Sequence, residues 1–158
     1  MNPTPPDWPR FSSCVVYKDA AAAIDWLVRT FGFELRLRVE GEGGRIEHCE
    51  LEYGDGVVML AQEDPASARG WKRFMRSPAS MDGTTTQSLM FYVDDAKAHC
   101  ERARAAGARI FEEPATHDYG DEFWSDISYG AFDLEGHLWW VTQRLRNPLA
   151  PPPRFSKA

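Results

Sequence analysis

The chain has 158 residues, 43% of them hydrophobic and 27% charged, and a formal net charge of −6 at pH 7. This is the composition of one globular domain. An acidic chain lacks the basic face that displaces counterions from phosphates, so we expect no nucleic-acid partner. No apolar run approaches the ~20 residues of a membrane span, and the first residues lack the pattern of a signal peptide, so we expect no membrane association. The three cysteines are widely spaced, which favours reduced thiols and a cytoplasmic location.

Prolines are concentrated at the two ends of the sequence, with four of the eleven in residues 1–10 and four in 148–153. Proline fixes φ and lacks a backbone donor, so we predict a Pro-rich N-terminal arm over 1–10 and a Pro-rich C-terminal tail over 147–158. Trp8 and Phe155 either attach these segments to the surface or to a partner subunit, or lie in mobile tails.

Between the two ends the sequence repeats itself. A short β-type run, an aspartate and an alanine-rich stretch occur together twice, with Asp19 and Asp95 lying 76 residues apart. Two further pairs of similar segments keep nearly the same offset, which indicates a tandem duplication. We therefore predict a first module at 11–62, a linker at 63–86 and a second module at 87–146.

The hydrophobic periodicity predicts the order β-α-β-β-β in each module. Asp19 is expected to cap the first helix and Gly32 to end it, and 95–106 is expected to form the second helix. Glu42–Gly44 is predicted to be a hairpin turn, and the linker is expected to carry a short helix at 71–75. The predicted strands are 12–17, 35–40, 45–53 and 56–62 in the first module and 88–93, 108–113, 123–132 and 137–143 in the second.

Tandem βαβββ modules that open with a strand, an aspartate and an alanine-rich helix resemble the vicinal oxygen chelate superfamily. That group includes glyoxalase I, bleomycin-resistance proteins, fosfomycin-resistance enzymes and extradiol dioxygenases. The run at 123–140, with its Asp-x-x-Gly-His turn at 133–137, is similar to the second module of the glyoxalase/bleomycin-resistance branch. The resemblance covers about 11–144 and implies an α+β fold in which the modules form a curved mixed sheet around a cleft. It also implies a homodimer, because relatives commonly complete their clefts with a second subunit.

In the metal enzymes of that superfamily, the ligands come from the first and last strands of each module. The corresponding positions in this sequence hold Ser12, Met59, Ser88 and Trp140. Hydroxyl, thioether and indole groups are poor ligands for divalent metals, which prefer imidazole, carboxylate or thiolate donors. The resemblance therefore implies that the metal site of the family is absent, and we expect no metal and no cofactor.

Strand alternation selects the polar candidates for the cleft. His48 and Glu50 alternate with Cys49 and Leu51, so they are expected to face the cleft, either as a polar lining or as an acid–base or metal-ligand pair. Cys14 is in the phase of the cleft-facing residues of the first strand. The sequence places no base beside it, so a structural thiol is favoured over a reactive one.

The remaining candidates for the cleft are aromatic residues and methionines. Met59, Met90, Tyr92 and Trp140 are expected to face inward, with Phe123 or Trp124 at the rim, whereas Trp139 has the opposite phase and should pack under the helices. The segment at 119–126 mixes aromatic, acidic and glycine residues. We predict that it forms a lip that closes over the ligand, with Asp121 or Glu122 facing solvent; the alternative is that both rings anchor the loop to the core.

The other three histidines are assigned more ordinary roles. His99 is expected to be solvated on its helix. His137 is expected to stabilise its turn, and His117 is placed in a loop, where it either gates the cleft or is simply exposed. None of them has a spacing typical of a metal site.

These observations favour a metal-free protein that binds a small aromatic or amphipathic molecule. Trp140 occupies a position where relatives keep a metal-ligand glutamate, and it offers a flat apolar surface instead. The acidic net charge weakly favours a cationic ligand. One alternative is a metal-dependent lyase, isomerase or dioxygenase that uses shifted ligands around His48 and Glu50. Another is a subunit-association module with a filled cleft and no small ligand.

Overall fold

Two βαβββ modules follow one another in the computed structural model, which describes residues 2–149. Phe155 and most of the predicted C-terminal tail lie outside the described residues. The first module consists of β1 (Ser13–Tyr17), α1 (Ala20–Phe31), β2 (Glu34–Glu40), β3 (Ile46–Tyr53) and β4 (Gly56–Gln62). The second consists of β5 (Ser88–Tyr92), α2 (Ala96–Ala105), β6 (Arg109–Asp118), β7 (Ser125–Phe132) and β8 (Leu138–Arg146). Single 3-10 turns occur at Glu42–Gly44, Lys72–Phe74 and Pro78–Ser80.

The helices begin and end at the predicted residues. The Asp19 carboxylate accepts a hydrogen bond from the amide of the first turn of α1, and Asp95 does the same for α2. Such capping satisfies amides that have no partner within the helix. Gly32 ends α1 with φ at 82°, a left-handed conformation that favours glycine. Within residues 2–149, no helix is long and apolar enough to cross a bilayer.

The strands form two mixed four-stranded sheets, with the orders β1-β4-β3-β2 and β5-β8-β7-β6. In each sheet the first strand is parallel to its neighbour and the other pairs are antiparallel. One face of each sheet and both helices share a single core, in which Phe31 packs against Trp139 with ring centroids 5.6 Å apart. The fold is α+β as predicted, but the single chain contains two separate sheets, each with an open face directed away from the shared core.

A bulge in β2 changes which face of the sheet its apolar residues occupy. Leu35 lies opposite Leu51, which is in the core, whereas the register shifts at the next residue and Leu37 lies opposite Glu50. Leu37 and Val39 therefore lie on the open face of the first sheet. All three apolar side chains of this strand are between 42% and 51% exposed.

The hairpin of β6 and β7 is longer than predicted. The ladder continues through pairs of His117 with Asp126 and of Asp118 with Ser125, so His117 lies on a strand and not in a loop. An ion pair of 2.7 Å between Arg146 and Asp118 joins the end of β6 to the end of β8. This cross-strand pairing extends β8 three residues beyond the predicted end at 143.

The prediction that His99 is solvated is wrong, since this side chain is only 3% exposed. Its Nε2 lies 3.0 Å from the Phe31 carbonyl oxygen, and its Nδ1 lies 2.6 Å from the Tyr129 hydroxyl. A carbonyl only accepts, so Nε2–H donates to Phe31 and Nδ1 accepts from Tyr129. Burial lowers the pKa of His99 and favours this neutral form. Because α2 has few apolar residues, the imidazole itself fills part of the core.

Asp133 joins the two modules. It is 7% exposed, and one of its oxygens accepts three backbone N–H groups of the turn before β8. The other oxygen accepts the Tyr17 hydroxyl at 2.6 Å and the Trp139 indole N–H at 3.0 Å. The His137 side chain reaches across to the Val16 carbonyl at 2.9 Å, so it bridges the modules and does not merely support its own turn.

Candidate functional site

The open face of the second sheet holds an aromatic cavity of about 390 Å³. Alternate residues of β5 and β8 point into it, because successive side chains of a strand lie on opposite faces. Trp139, in the other phase, is 2% exposed in the core, as predicted. The aromatic residues and the methionine that line this cavity are Met90, Tyr92, Tyr119, Trp124 and Trp140.

Arg144 organises one wall of this cavity. Its Nε lies 2.5 Å from the Asp126 carboxylate and its Nη2 lies 2.7 Å from the Tyr92 hydroxyl. The guanidinium is also 5.4 Å from the centre of the Tyr92 ring and 5.6 Å from that of Trp124. Desolvation opposes its charge, but the hydrogen bonds to Asp126 and Tyr92 outweigh this and raise the pKa of Arg144. The result is a flat wall in which the cation and its counter-ion balance each other.

Trp140 is braced from the side by Phe111. The two rings are 5.4 Å apart and almost perpendicular, an edge-to-face arrangement. The Phe111 ring lies over Gly130, the residue opposite Trp140 on β7, where an added Cβ would overlap the ring. Glycine at this position therefore allows the aromatic side chain to support the indole.

The structure distinguishes the two aromatic residues that were predicted as alternatives for the rim. Trp124 is half-buried and lines the cavity. Phe123 is 42% exposed, and its ring centroid lies 6.1 Å from that of Trp124. Asp121 and Glu122 are exposed, as expected. A contact of 5.4 Å between Tyr119 and Trp124 closes the base of the lip. The segment is placed so that Trp124 would contact a molecule in the cavity.

The open face of the first sheet holds a polar pair. His48 Nε2 and Glu50 Oε1 are 2.9 Å apart, and Arg36 contacts the other oxygen of Glu50 at 3.2 Å. Glu50 is only 7% exposed, and each oxygen of this buried carboxylate has a hydrogen-bonding partner. The Arg36 guanidinium also donates to the Asp7 carbonyl and lies 5.3 Å from the centre of the Trp8 ring. Trp8 thus attaches the N-terminal arm to the first module.

Cys14 and Met59 lie side by side on this same face, as partners in the β1–β4 ladder. Cys14 and His48 line a smaller cavity of about 260 Å³, whose outer wall is formed by Trp71 and Met75 of the linker. Cys14 is partly rather than fully buried, and burial raises the pKa of its thiol. A raised pKa disfavours the nucleophilic thiolate.

The two serines lie in a third place, a groove of about 360 Å³ between the modules. The Ser12 hydroxyl donates to the Val57 carbonyl at 2.5 Å, so it serves the local backbone. Ser88 is exposed at the start of β5. Met90 lines both this groove and the aromatic cavity, and is thus the link between them.

The predicted site residues are therefore divided over three places in one chain. Met90, Tyr92, Trp124 and Trp140 come together, whereas His48 and Trp140 line different cavities. Sequence reasoning missed Arg144, because the predicted end of β8 excluded it, although it continues the alternation of Trp140 and Thr142. It also missed Glu112, because the bulge that turns this residue toward the cavity has no clear sequence pattern.

The residues present do not fit the metal site of the family. The hydroxyl, thioether and indole groups at its four positions are poor donors. His48 and Glu50 are hydrogen-bonded to each other, and Arg36 donates a hydrogen bond to the second oxygen of Glu50. In the part of the chain that the structure describes, no group of three or more His, Cys, Asp or Glu side chains is placed to hold an ion.

The tandem βαβββ modules and their open, lined sheet faces define a protein of the paired βαβββ class. The family model described as Glyoxalase/Bleomycin resistance protein/Dioxygenase superfamily matches residues 10–141, and the chain belongs to this superfamily. Among solved structures, TioX from Micromonospora sp. ML1 is 33% identical with a TM-score of 0.63, covering 85% of this chain and 95% of TioX.

Two other relatives resemble this chain over most of its length. Uncharacterized protein Mb0911c of Mycobacterium bovis is 32% identical over 138 residues, which span 87% of this chain and 85% of that protein. A glyoxalase/bleomycin resistance protein/dioxygenase from Nocardioides is 15% identical, with a TM-score of 0.54 and coverage of 99% and 93%. At that identity the likeness concerns the fold alone, and function must be argued from the site.

Proposed function

We propose that this protein binds a small aromatic or amphipathic molecule on the open face of its second sheet, without a metal ion. The observation that carries the proposal is Trp140, held edge-on by Phe111 and facing a cavity whose walls are Tyr92 and Trp124. Stacking on such rings contributes about 0.5–1.5 kcal/mol per aromatic pair beyond the burial of area. The ion pair of Arg144 and Asp126 adds a polar wall that carries no net charge.

The test is a titration of the intrinsic tryptophan fluorescence with a panel of planar aromatic compounds, followed by calorimetry of those that bind. Trp140→Ala is expected to weaken binding about tenfold or more, because it removes the stacking surface. Phe74→Ala is the matched control, since this exposed ring contacts Arg73 and lies away from the cavity. Equal affinities of Trp140→Ala and the unaltered protein would refute the proposed site.

Metal analysis separates this function from that of a metal-dependent lyase, isomerase or dioxygenase. Protein purified without a chelator is expected to contain no stoichiometric zinc, nickel, manganese or iron. A stoichiometric metal that is lost in His48→Ala would overturn the proposal and place the chemistry at His48 and Glu50.

The proposal includes a homodimer. Two of the three places that hold predicted site residues are open sheet faces, and each of these faces carries exposed apolar side chains, including Leu37 and Val39 on the first and Met90 and Tyr92 on the second. A second copy that covers these faces would bury this apolar surface. We also place the protein in the cytoplasm, where Cys14, Cys49 and Cys100, which are free thiols in the fold, stay reduced.

Sedimentation equilibrium tests the dimer directly. The expected mass is twice the chain mass of 17.9 kDa, and Leu37→Arg is expected to shift the protein toward the monomer while it remains folded. The control is Leu134→Arg, at a position that is 49% exposed, against 42% for Leu37, but lies in the turn before β8. A monomer at micromolar concentration, or equal effects of the two substitutions, would contradict this part of the proposal.

A further inference from the structure

The aromatic cavity contains one carboxylate outside the pair of Arg144 and Asp126. Glu112 lines the cavity, and among the described residues no ion pair or hydrogen bond engages its carboxylate. Its neighbour Glu113 points to the other side of β6, where it pairs with Arg104 at 2.6 Å. The bulge after Ile110 places Glu112 opposite Gly130, on the face that also carries Trp140.

The other two formally charged side chains of the cavity, Arg144 and Asp126, form an ion pair with each other. Arg144 is bound to Asp126 at 2.5 Å and to the Tyr92 hydroxyl at 2.7 Å, so its positive charge is offset within the wall. With His117, which also lines the cavity, counted as neutral, Glu112 leaves a net negative charge on this largely aromatic surface. This exposed, unpaired carboxylate favours a ligand of opposite sign and disfavours an anion.

The spacing matches the size of a fused aromatic system. Glu112, Gly130 and Trp140 lie opposite one another on three adjacent strands. Neighbouring strands are about 4.8 Å apart, so the backbones at Glu112 and Trp140 are separated by about 10 Å. Phe111 covers Gly130 between them and lies edge-on to Trp140. A ring system stacked on Trp140 thus reaches Glu112 with a substituent at its far edge.

We propose that the site takes a planar, fused-ring aromatic ligand that carries a protonated nitrogen, with the ring on Trp140 and the N–H donating to Glu112. This inference rests on the proposed function and names its substrate class. The charge requirement comes from Glu112 alone, so it can be tested separately from stacking.

The experiment uses three probes with one ring system: 9-aminoacridine, a cation at neutral pH; acridine, which is mainly neutral; and acridine-9-carboxylate, an anion. Calorimetry on the full chain is expected to rank them in that order of affinity. Glu112→Gln is expected to weaken binding of the cation several-fold and to leave acridine unchanged, because it removes the negative charge that attracts the cation. Glu113→Gln, with the same change of charge one residue away, is the matched control.

The outcomes separate the two proposals. If the three probes bind equally, or if Glu112→Gln and Glu113→Gln act alike, the charge inference is wrong, while loss of acridine binding in Trp140→Ala still supports the proposed function. If acridine binds equally well to Trp140→Ala, the stacking site and the inference built on it are both wrong. Tighter binding of the carboxylate, or binding of none of the probes to the unaltered protein, also overturns the inference.

Discussion

Replacing Asp133 by asparagine should expose how the two modules are held together. The amide oxygen can keep the backbone N–H groups of the turn, but the NH₂ group then faces the Tyr17 hydroxyl and the Trp139 indole. A hydroxyl can rotate and accept, whereas an indole N–H only donates. Trp139 is 2% exposed, so its N–H would be left without a partner or water.

The expected loss in free energy of unfolding follows from the hydrogen bonds that this substitution removes or weakens. An unsatisfied buried donor costs about 1–3 kcal/mol, and replacing charged by neutral acceptors weakens the remaining bonds, for a total of about 3–5 kcal/mol. Urea unfolding followed by circular dichroism measures this difference. In a Trp139→Phe background the orphaned donor is absent, so the same substitution should cost about 1–3 kcal/mol less. An unaltered free energy of unfolding, or an equal cost in both backgrounds, would refute this account of Asp133.

Three further predictions concern the buried histidine, the bulge and the lip. Burial lowers the folded-state pKa of His99, so the unfolded chain binds more protons below about pH 6.5, and the stability that His99 contributes is lost as the pH falls from there toward the folded-state pKa. Urea unfolding at several pH values should therefore show a shallower loss of stability for His99→Gln than for the unaltered protein. Equal slopes for the two proteins would contradict this prediction. Gly130→Ala should displace the partly exposed Phe111 ring and lower the free energy of unfolding by about 0.5–1.5 kcal/mol, the cost of a side chain forced away from its preferred rotamer; Phe111→Leu should relieve most of this cost, and an unaltered melting temperature would speak against it. Trp124→Ala should weaken aromatic ligands several-fold with a small change in melting temperature, whereas a large fall in melting temperature with affinity retained would show that the ring is a core anchor.

Local signals in the sequence were sufficient for most of the fold. The aspartate caps, Gly32 and the repeat of Asp19 at Asp95 are short-range features whose physical effect does not depend on tertiary structure, and the helices begin where these features predict. The phase of β8 was also readable, because a strict alternation puts Trp139 in the core and Trp140 on the open face.

The bulges and the buried polar partners were not predictable in the same way. A bulge changes which face a residue occupies without a clear change in composition, so the orientations of Leu37 and Glu112 could not be obtained from alternation. His99 looked like a solvated helical residue because its partners, Phe31 and Tyr129, are 68 and 30 residues away in sequence. The division of the predicted site residues over three places likewise depends on how the modules pack.

A crystal structure of the protein with a bound aromatic ligand, grown from protein treated with a chelator, tests the central claim most directly. The account predicts that the ring lies on Trp140 in the cavity bordered by Tyr92 and Trp124, with no metal ion in contact with it. Density for the ligand at His48 and Glu50, or a metal ion that bridges protein and ligand, would contradict it.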